Sequence, residues 1–563
     1  MGGDGIPGWV RSKKAEMRKI QTMQKTPFVA PEVLPKVVPA PTDGWDAISP
    51  LAAMDPKRAP ILDNFVPRPG WVELRGGYTA YVGTLTGSPV ETLMVYRSGS
   101  AEEMFAASGS IIRDVSTSVS DTDVVTGLNS ARWQYVNFKP AGAANVIQLV
   151  NGADNMRQYN GTVWSTPSIT DGSGTPIDTS TFINISTIKR RLWYVVNNST
   201  LAYFMPTDAI QGQIAGSQDF GSLFSKGGYL VAASSWTVDG GSGPQDYGLF
   251  ISSRGQVALY SGIDPTNASA WNLVGVFDIA PPIGRRCLLR VGSDVGIITQ
   301  QGVIPISQAL PFDPSADRSV AITARIQSAM ASAAMLAGNS FGWQLISFPA
   351  QQLAIVNVPI QSNAQVQYVM NTLTGAWCRF TGWGANCFEV YNNNLYFGDN
   401  DGNVQLAYSG SMDLNTPISA NMQCAFNWFD EPGRIKRMSM IQPLLVLGGS
   451  LNPTISVDTD FTTSTQTATV STFSSSVVWG TAVWGVDLWP SGTVQYNSFL
   501  SVEALGHALA VRLQAAIDTT PTGLGVFDFG TFDNATFDQG YSTALPVLQV
   551  NAFNTIIELG AVV

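Results

Sequence analysis

A chain of 563 residues exceeds what one hydrophobic core ordinarily serves, so it holds two or more domains or one large repetitive β-architecture. Charged residues make up only 13%, against about a quarter in ordinary globular chains, which argues against long solvated helices and for many short strands and turns. The net charge of −10 disfavours gripping nucleic acid through its phosphates, and a single histidine excludes His-rich zinc sites.

Residues 1–60 read as an extended basic, Pro-rich arm. Up to residue 41 it carries seven Lys or Arg against three acidic residues, so the remainder of the chain is more acidic than the whole. Lys13, Lys14, Arg18 and Lys19 fall in a stretch, 12–24, that suits one short basic helix, with Arg11 just before it. Pro27, Pro31, Pro35, Pro39 and Pro41 then enforce a polyproline-like path, which cannot pack a core of its own. A basic arm on an acidic body marks a docking element, and Arg11, Lys13, Lys14, Arg18 and Lys19 are its expected partner contacts. No apolar run opens the chain as a secretory signal would, and the most apolar stretches, such as 441–447, are too short to span a bilayer.

From residue 61 to about 410 the texture is strand, tight turn, strand. The segments 155–165, 190–204, 248–262 and 393–408 each pair two hydrophobic runs across an Asn, Asp or Gly turn. Hairpins repeated at roughly even spacing mean a propeller, a sandwich or a barrel, and "NTLTGAWCRFTGW" (371–383) and "NASAWNLVGVF" (267–277) carry a Trp after a turn as outer propeller strands do. The expected fold class is therefore all-β, a β-propeller-like body with an additional C-terminal β-domain and one inserted helix at about 314–338.

Residues 411–563 form the second expected unit, a sandwich-like β-domain. Its Thr- and Ser-rich stretch at about 458–490 reads as a projecting loop with Trp479, Trp484 and Trp489 at five-residue steps, and 499–517 as two amphipathic β-runs. Those tryptophans fit either a contact with a partner or a buried hairpin core.

The search for chemistry returns little. Cys287, Cys378, Cys387 and Cys424 stand far apart without C-x-x-C spacing and read as free thiols in apolar strands, with disulfides as the alternative. A Ser-His-Asp triad would depend on His507 alone, in an alternating strand where a structural histidine is the simpler reading. No phosphate-cradling loop and no dinucleotide fingerprint is present. The cluster Asp399-Asn400-Asp401-Gly402-Asn403 resembles a calcium loop, but position twelve is Gly410 instead of Glu and the flanks are strands, so a hairpin turn accounts for it. The expectation is a non-enzyme without cofactor or metal.

Taken in order, the basic arm, "DNFVPRPGWVELRGGY" (63–78), the hairpins, the central helix, "NTLTGAWCRFTGW", "NNLYFGDNDGNVQLAY" (393–408) and "FDEPGRIKRMSMIQPLLV" (429–446) resemble the tail nozzle, or packaged-DNA stabilisation, proteins of short-tailed bacteriophages. The resemblance covers about residues 60–450 and lies in arrangement more than in an invariant motif. It implies a structural virion protein of the phage tail, assembled in the host cytoplasm. It also implies a homo-oligomeric ring, usually of six copies, below the adaptor (connector) ring and beside tail fibre or spike and plug or needle proteins. DNA would pass through such a ring without sequence-specific binding and be retained and ejected through it, an acidic lumen letting it slide. The long arm and the extended C-terminal domain depart from the smaller family members. The alternative function is a glycan-binding or glycan-cleaving propeller, or a host-surface adhesin using Trp479 to Trp489.

Overall fold

Alternating apolar and polar residues across Asn- and Gly-rich turns fold into successive antiparallel sheets in the computed structural model. It describes residues 32–562 apart from 84, 100, 120–121, 240–243, 292–293, 310–320, 362, 449–450, 452, 465, 471–493 and 517–546. Six four-stranded blades make a β-propeller. They begin with Val90–Ser98, Gln134–Phe138, Phe182–Ile188, Leu230–Asp239, Gln344–Phe348 and Ala385–Tyr391, and a three-stranded sheet beginning with Leu288–Val291 sits between the fourth and fifth. Neighbouring sheets contact through these first strands, except that Leu230–Asp239 meets the middle strand of the three-stranded sheet, Asp294–Thr299, and the last touches Val90–Ser98, which closes the ring. The closing blade takes its fourth strand from Tyr78–Val82, antiparallel to Val404–Ala407, so a segment from before the first blade fastens the last one.

The expected hairpins are present. Arg157–Tyr159 pairs Trp164–Ser165, Arg191–Val196 pairs Leu201–Phe204, Pro244–Ser252 pairs Gln256–Gly262, and Asn394–Asp399 pairs Val404–Ala407. Trp271 and Trp377 both start outer blade strands, as their place after a turn predicts. Apolar clusters lie between successive blades. Trp193 of the third blade packs on Phe204 of its own sheet and on Phe250 and Trp271 of the fourth, with ring centroids 4.6, 5.0 and 6.0 Å away. Burying such large aromatic faces on both sides of each wedge is what holds the ring together.

The inserted helix is shorter than the sequence suggests. It spans Gln327–Ala337 after a 3-10 turn at Ala324–Ile326. Residues just before it are held otherwise: the Ile322 amide donates to the Val303 carbonyl, and Thr323 Oγ1 accepts from the Val303 amide at 3.0 Å. The first part of the expected helix, up to residue 320, lies outside the described residues.

A second β-module draws on both ends of the chain. Glu32–Pro39, read from the sequence as part of an arm, is a strand paired antiparallel with Val547–Val562, and Val38 and Ala40 are buried in the main core. Alternation explains this: Leu34 and Val38 offer an apolar face once Val547–Val562 supplies a ladder that the prolines only partly interrupt. Val547–Val562 also pairs the long strand Arg434–Gly448, which pairs Leu500–Gly506 in turn. Leu509–Ala516 pairs Ser419–Gln423, which pairs Ile61–Asp63, and that strand meets Trp377–Phe380 of the fifth blade. One sheet therefore runs without a break from a propeller blade into the second module.

A network centred on Asn64, Arg75 and Asp413 fastens this seam. Asn64, in the left-handed region at φ 60°, donates to Thr381 Oγ1 and the Ser419 carbonyl and accepts from Arg75 Nε at 2.8 Å. Arg75 is fully buried and grips Asp413 through two parallel bonds of 2.8 and 2.6 Å. Its remaining donors reach the Gly76 and Thr381 carbonyls, so all five are used, and its guanidinium lies over Trp383 at 5.0 Å.

Candidate functional site: the propeller channel

The first strand of a blade is the innermost one, so a propeller gathers those strands around its axis. All seven converge on one cavity of about 630 Å³, a size typical of small-ligand sites. Thr92 comes from the first blade, Tyr135 from the second, Ser186 and Thr187 from the third, Ser234 from the fourth, Arg290 from the three-stranded sheet, Gln344 from the fifth and Glu389 from the sixth.

The charges lining it are mostly positive. Lys139, Arg190, Arg285, Arg286 and Arg290 face two carboxylates, Asp208 and Glu389. Both carboxylates are committed. Asp208 Oδ1 accepts from Arg190 at 2.7 Å. Glu389 accepts from the Tyr135 hydroxyl at 2.5 Å and lies 3.4 Å from Arg97. Burial raises the Glu389 pKa more than these donors lower it, and burial with the adjacent carboxylate pushes the Tyr135 phenol well up, so that phenol stays protonated and donating.

Lys139, Arg285, Arg286 and Arg290 make no ion pair among the described residues. Arg286 is held by Thr92 Oγ1 at 2.7 Å and by the Glu91 carbonyl, while Arg285 donates to the Asn151 carbonyl at 2.9 Å. Arg286 and Arg132 both lie over the Phe341 ring, at 4.8 and 4.5 Å from its centroid. Burial draws Arg285 and Arg286 below the usual guanidinium value, and both remain cations because that value is so high. Four polar atoms of lining residues, Trp133 Nε1, Ser186 Oγ, Thr187 Oγ1 and Arg286 Nη1, are buried without a hydrogen-bond partner among the described residues.

The sequence reading did not single out these residues. The available signal was "GRRCLLR", 284–290, three arginines within seven residues in a chain with 31 basic residues. The residues it did single out, Arg11, Lys13, Lys14, Arg18, Lys19, Trp479, Trp484 and Trp489, all lie outside the described residues.

Elsewhere the structure settles local questions. Asp399 accepts from the amides of Asp401 and Asn403 and from the side chains of Asn403 and Gln405, so its oxygens are spent on the hairpin turn, with Gly402 at φ 86°. Among the described residues no group of three His, Cys, Asp or Glu is placed to hold a metal, and no helix is long and apolar enough to cross a membrane. All four cysteines are buried free thiols, and burial pushes the Cys287 and Cys387 thiols up to about 12 and 11. His507 Nδ1 lies 3.7 Å from Asp460, whose other oxygen accepts the His507 and Ala508 amides.

No protein-family model matches the chain, and no curated protein matches it. Solved structures similar in part include YCF48 from Cyanidioschyzon merolae, with 11% identity over 59% of this chain and 98% of that one and a TM-score of 0.35. Chaetomium thermophilum Raptor aligns at 10% identity over 59% of this chain and 29% of its own, also with a TM-score of 0.35. BBS1N, solved in complex with ARL6DN, aligns at 12% identity over 41% and 71%, with a TM-score of 0.27.

Proposed function

We propose that this chain is a structural ring subunit, the nozzle of a short-tailed phage tail, in which a rigid propeller carries a β-module that docks on neighbouring copies. The observation that carries the reading is the outer face of the module's sheet. Val33 and Val37 on the first strand, Met440 on the long central strand, and Phe499 and Leu505 beside it are 40–65% exposed. On this face Arg437, Glu503 and Glu558 neutralise one another in part through contacts of 3.0 and 3.4 Å. Strand Glu32–Pro39 has one partner strand among the described residues, so its other edge offers unpaired backbone groups. An apolar face beside an open edge is the surface that ring contacts bury. The order of features along the chain adds the resemblance to nozzle proteins.

The basic segment before residue 32 supplies the test. Removing residues 1–31 is expected to leave the melting temperature unchanged while abolishing incorporation into tails. Removing residues 1–41 also strips a strand from the Val547–Val562 ladder and is expected to destabilise the module. Normal incorporation of the 1–31 deletion would contradict the docking role.

A further inference from the structure

We propose that the propeller channel is a binding site for a small multivalent oxyanion, a phosphate-bearing molecule, independently of any role in a ring. Two observations converge. Four cations, Lys139, Arg285, Arg286 and Arg290, line one cavity with no carboxylate partner among the described residues, in a chain whose net charge is −10. Both carboxylates of that cavity are already satisfied, Asp208 by Arg190 and Glu389 by Tyr135 and Arg97, so neither is free to neutralise the excess.

Gathering unpaired cations in one cavity is costly, and water alone satisfies their hydrogen bonds but not their charge. A phosphate group answers both needs, since its oxygens accept several donors at once and match the guanidinium fork, and its charge of about −2 near neutral pH offsets much of the excess. The arginines are not idle stems. Arg286 is oriented by Thr92 Oγ1 and by stacking on Phe341, and Arg285 by the Asn151 carbonyl, so their positions are set before a ligand arrives.

The test is calorimetric titration of the full chain with pyrophosphate in low-salt buffer, with citrate as a carboxylate control. The expected result is saturable binding at one site per chain, at least tenfold tighter than for citrate and weakening as salt is added. Lys139→Gln and Arg290→Gln remove exposed side chains, so both variants are expected to keep the wild-type melting temperature while weakening binding about tenfold each. Arg286→Gln is expected to weaken it further. Absence of saturable binding at millimolar pyrophosphate would overturn the proposal. Equal affinity for citrate, or affinity unchanged in Lys139→Gln and Arg290→Gln, would overturn it as well.

Discussion

Blades and seam solve the same problem, pairing every strand, with opposite uses of the chain. A blade strand finds its partner across a turn of a few residues, as Asn394–Asp399 finds Val404–Ala407. In the second module Thr555 Oγ1 donates to the Lys36 carbonyl across 519 positions, and Ile61–Asp63 bridges residues near 379 and 421. Local pairing is cheap in loop entropy and is specified by turn chemistry, whereas distant pairing must be fixed by contacts made once the rest is folded. The seam accordingly carries a fully satisfied buried arginine network, and the blades carry aromatic wedges.

The difference predicts where single substitutions hurt most. Asp413→Ala leaves the Arg75 guanidinium buried without its carboxylate and is expected to cost about 3–5 kcal/mol in denaturant unfolding. A cost below about 1 kcal/mol would show that the seam does not rest on this pair. Gly77→Ala tests the same seam through sterics, because an added Cβ would sit 1.9 Å from the Met412 carbonyl oxygen, closer than any real contact. About 3 kcal/mol of destabilisation is expected from that overpacking.

In a blade turn the same change is milder. Gly402→Ala places a Cβ 2.8 Å from the Ser88 carbonyl at φ 86°, with an expected cost of about 1–2 kcal/mol. Thermal melts of both glycine variants compare the two regions directly, and a larger loss for Gly402→Ala would reverse the comparison.

The smallest effect depends on pH. Asp46, beside the seam, is buried, and burial alone would raise its pKa. Hydrogen bonds from the Ser49 and Ile48 amides, the Ser49 hydroxyl and Arg58 outweigh that and hold the carboxyl below its usual value. A lowered folded-state pKa means that the stabilisation is complete above the unfolded value of about 4 and is lost as pH falls through the folded one. Asp46→Asn is therefore expected to cost about 1 kcal/mol near pH 7 and progressively less below about pH 4. A difference constant across that range would contradict the assignment.

The same division decides how much was legible in the sequence. Asn160-Gly161, Arg254-Gly255 and the Asp399–Asn403 cluster announce hairpins because φ > 0 demands such residues locally. Trp271 and Trp377 mark outer strands for a similarly local reason. Nothing local tells Pro35 and Val38 that their partners are Ile556 and Phe553, so the strand looked like arm. The helix was read too long because apolar spacing persists through residues where Thr323 caps a neighbouring strand instead. The channel was missed because its members lie on seven separate strands and the loops beside them, and only ring closure brings Lys139, Ser186, Arg286 and Glu389 together.

Electron microscopy of the purified full chain bears most directly on the central claim, that the apolar face around Val37, Met440 and Leu505 is built for copies of itself. Closed rings of uniform size are expected, dissociating when Val37 and Leu505 are replaced by Lys, with the melt of the isolated subunit unchanged. A wild-type chain that stays monomeric at high concentration would contradict it.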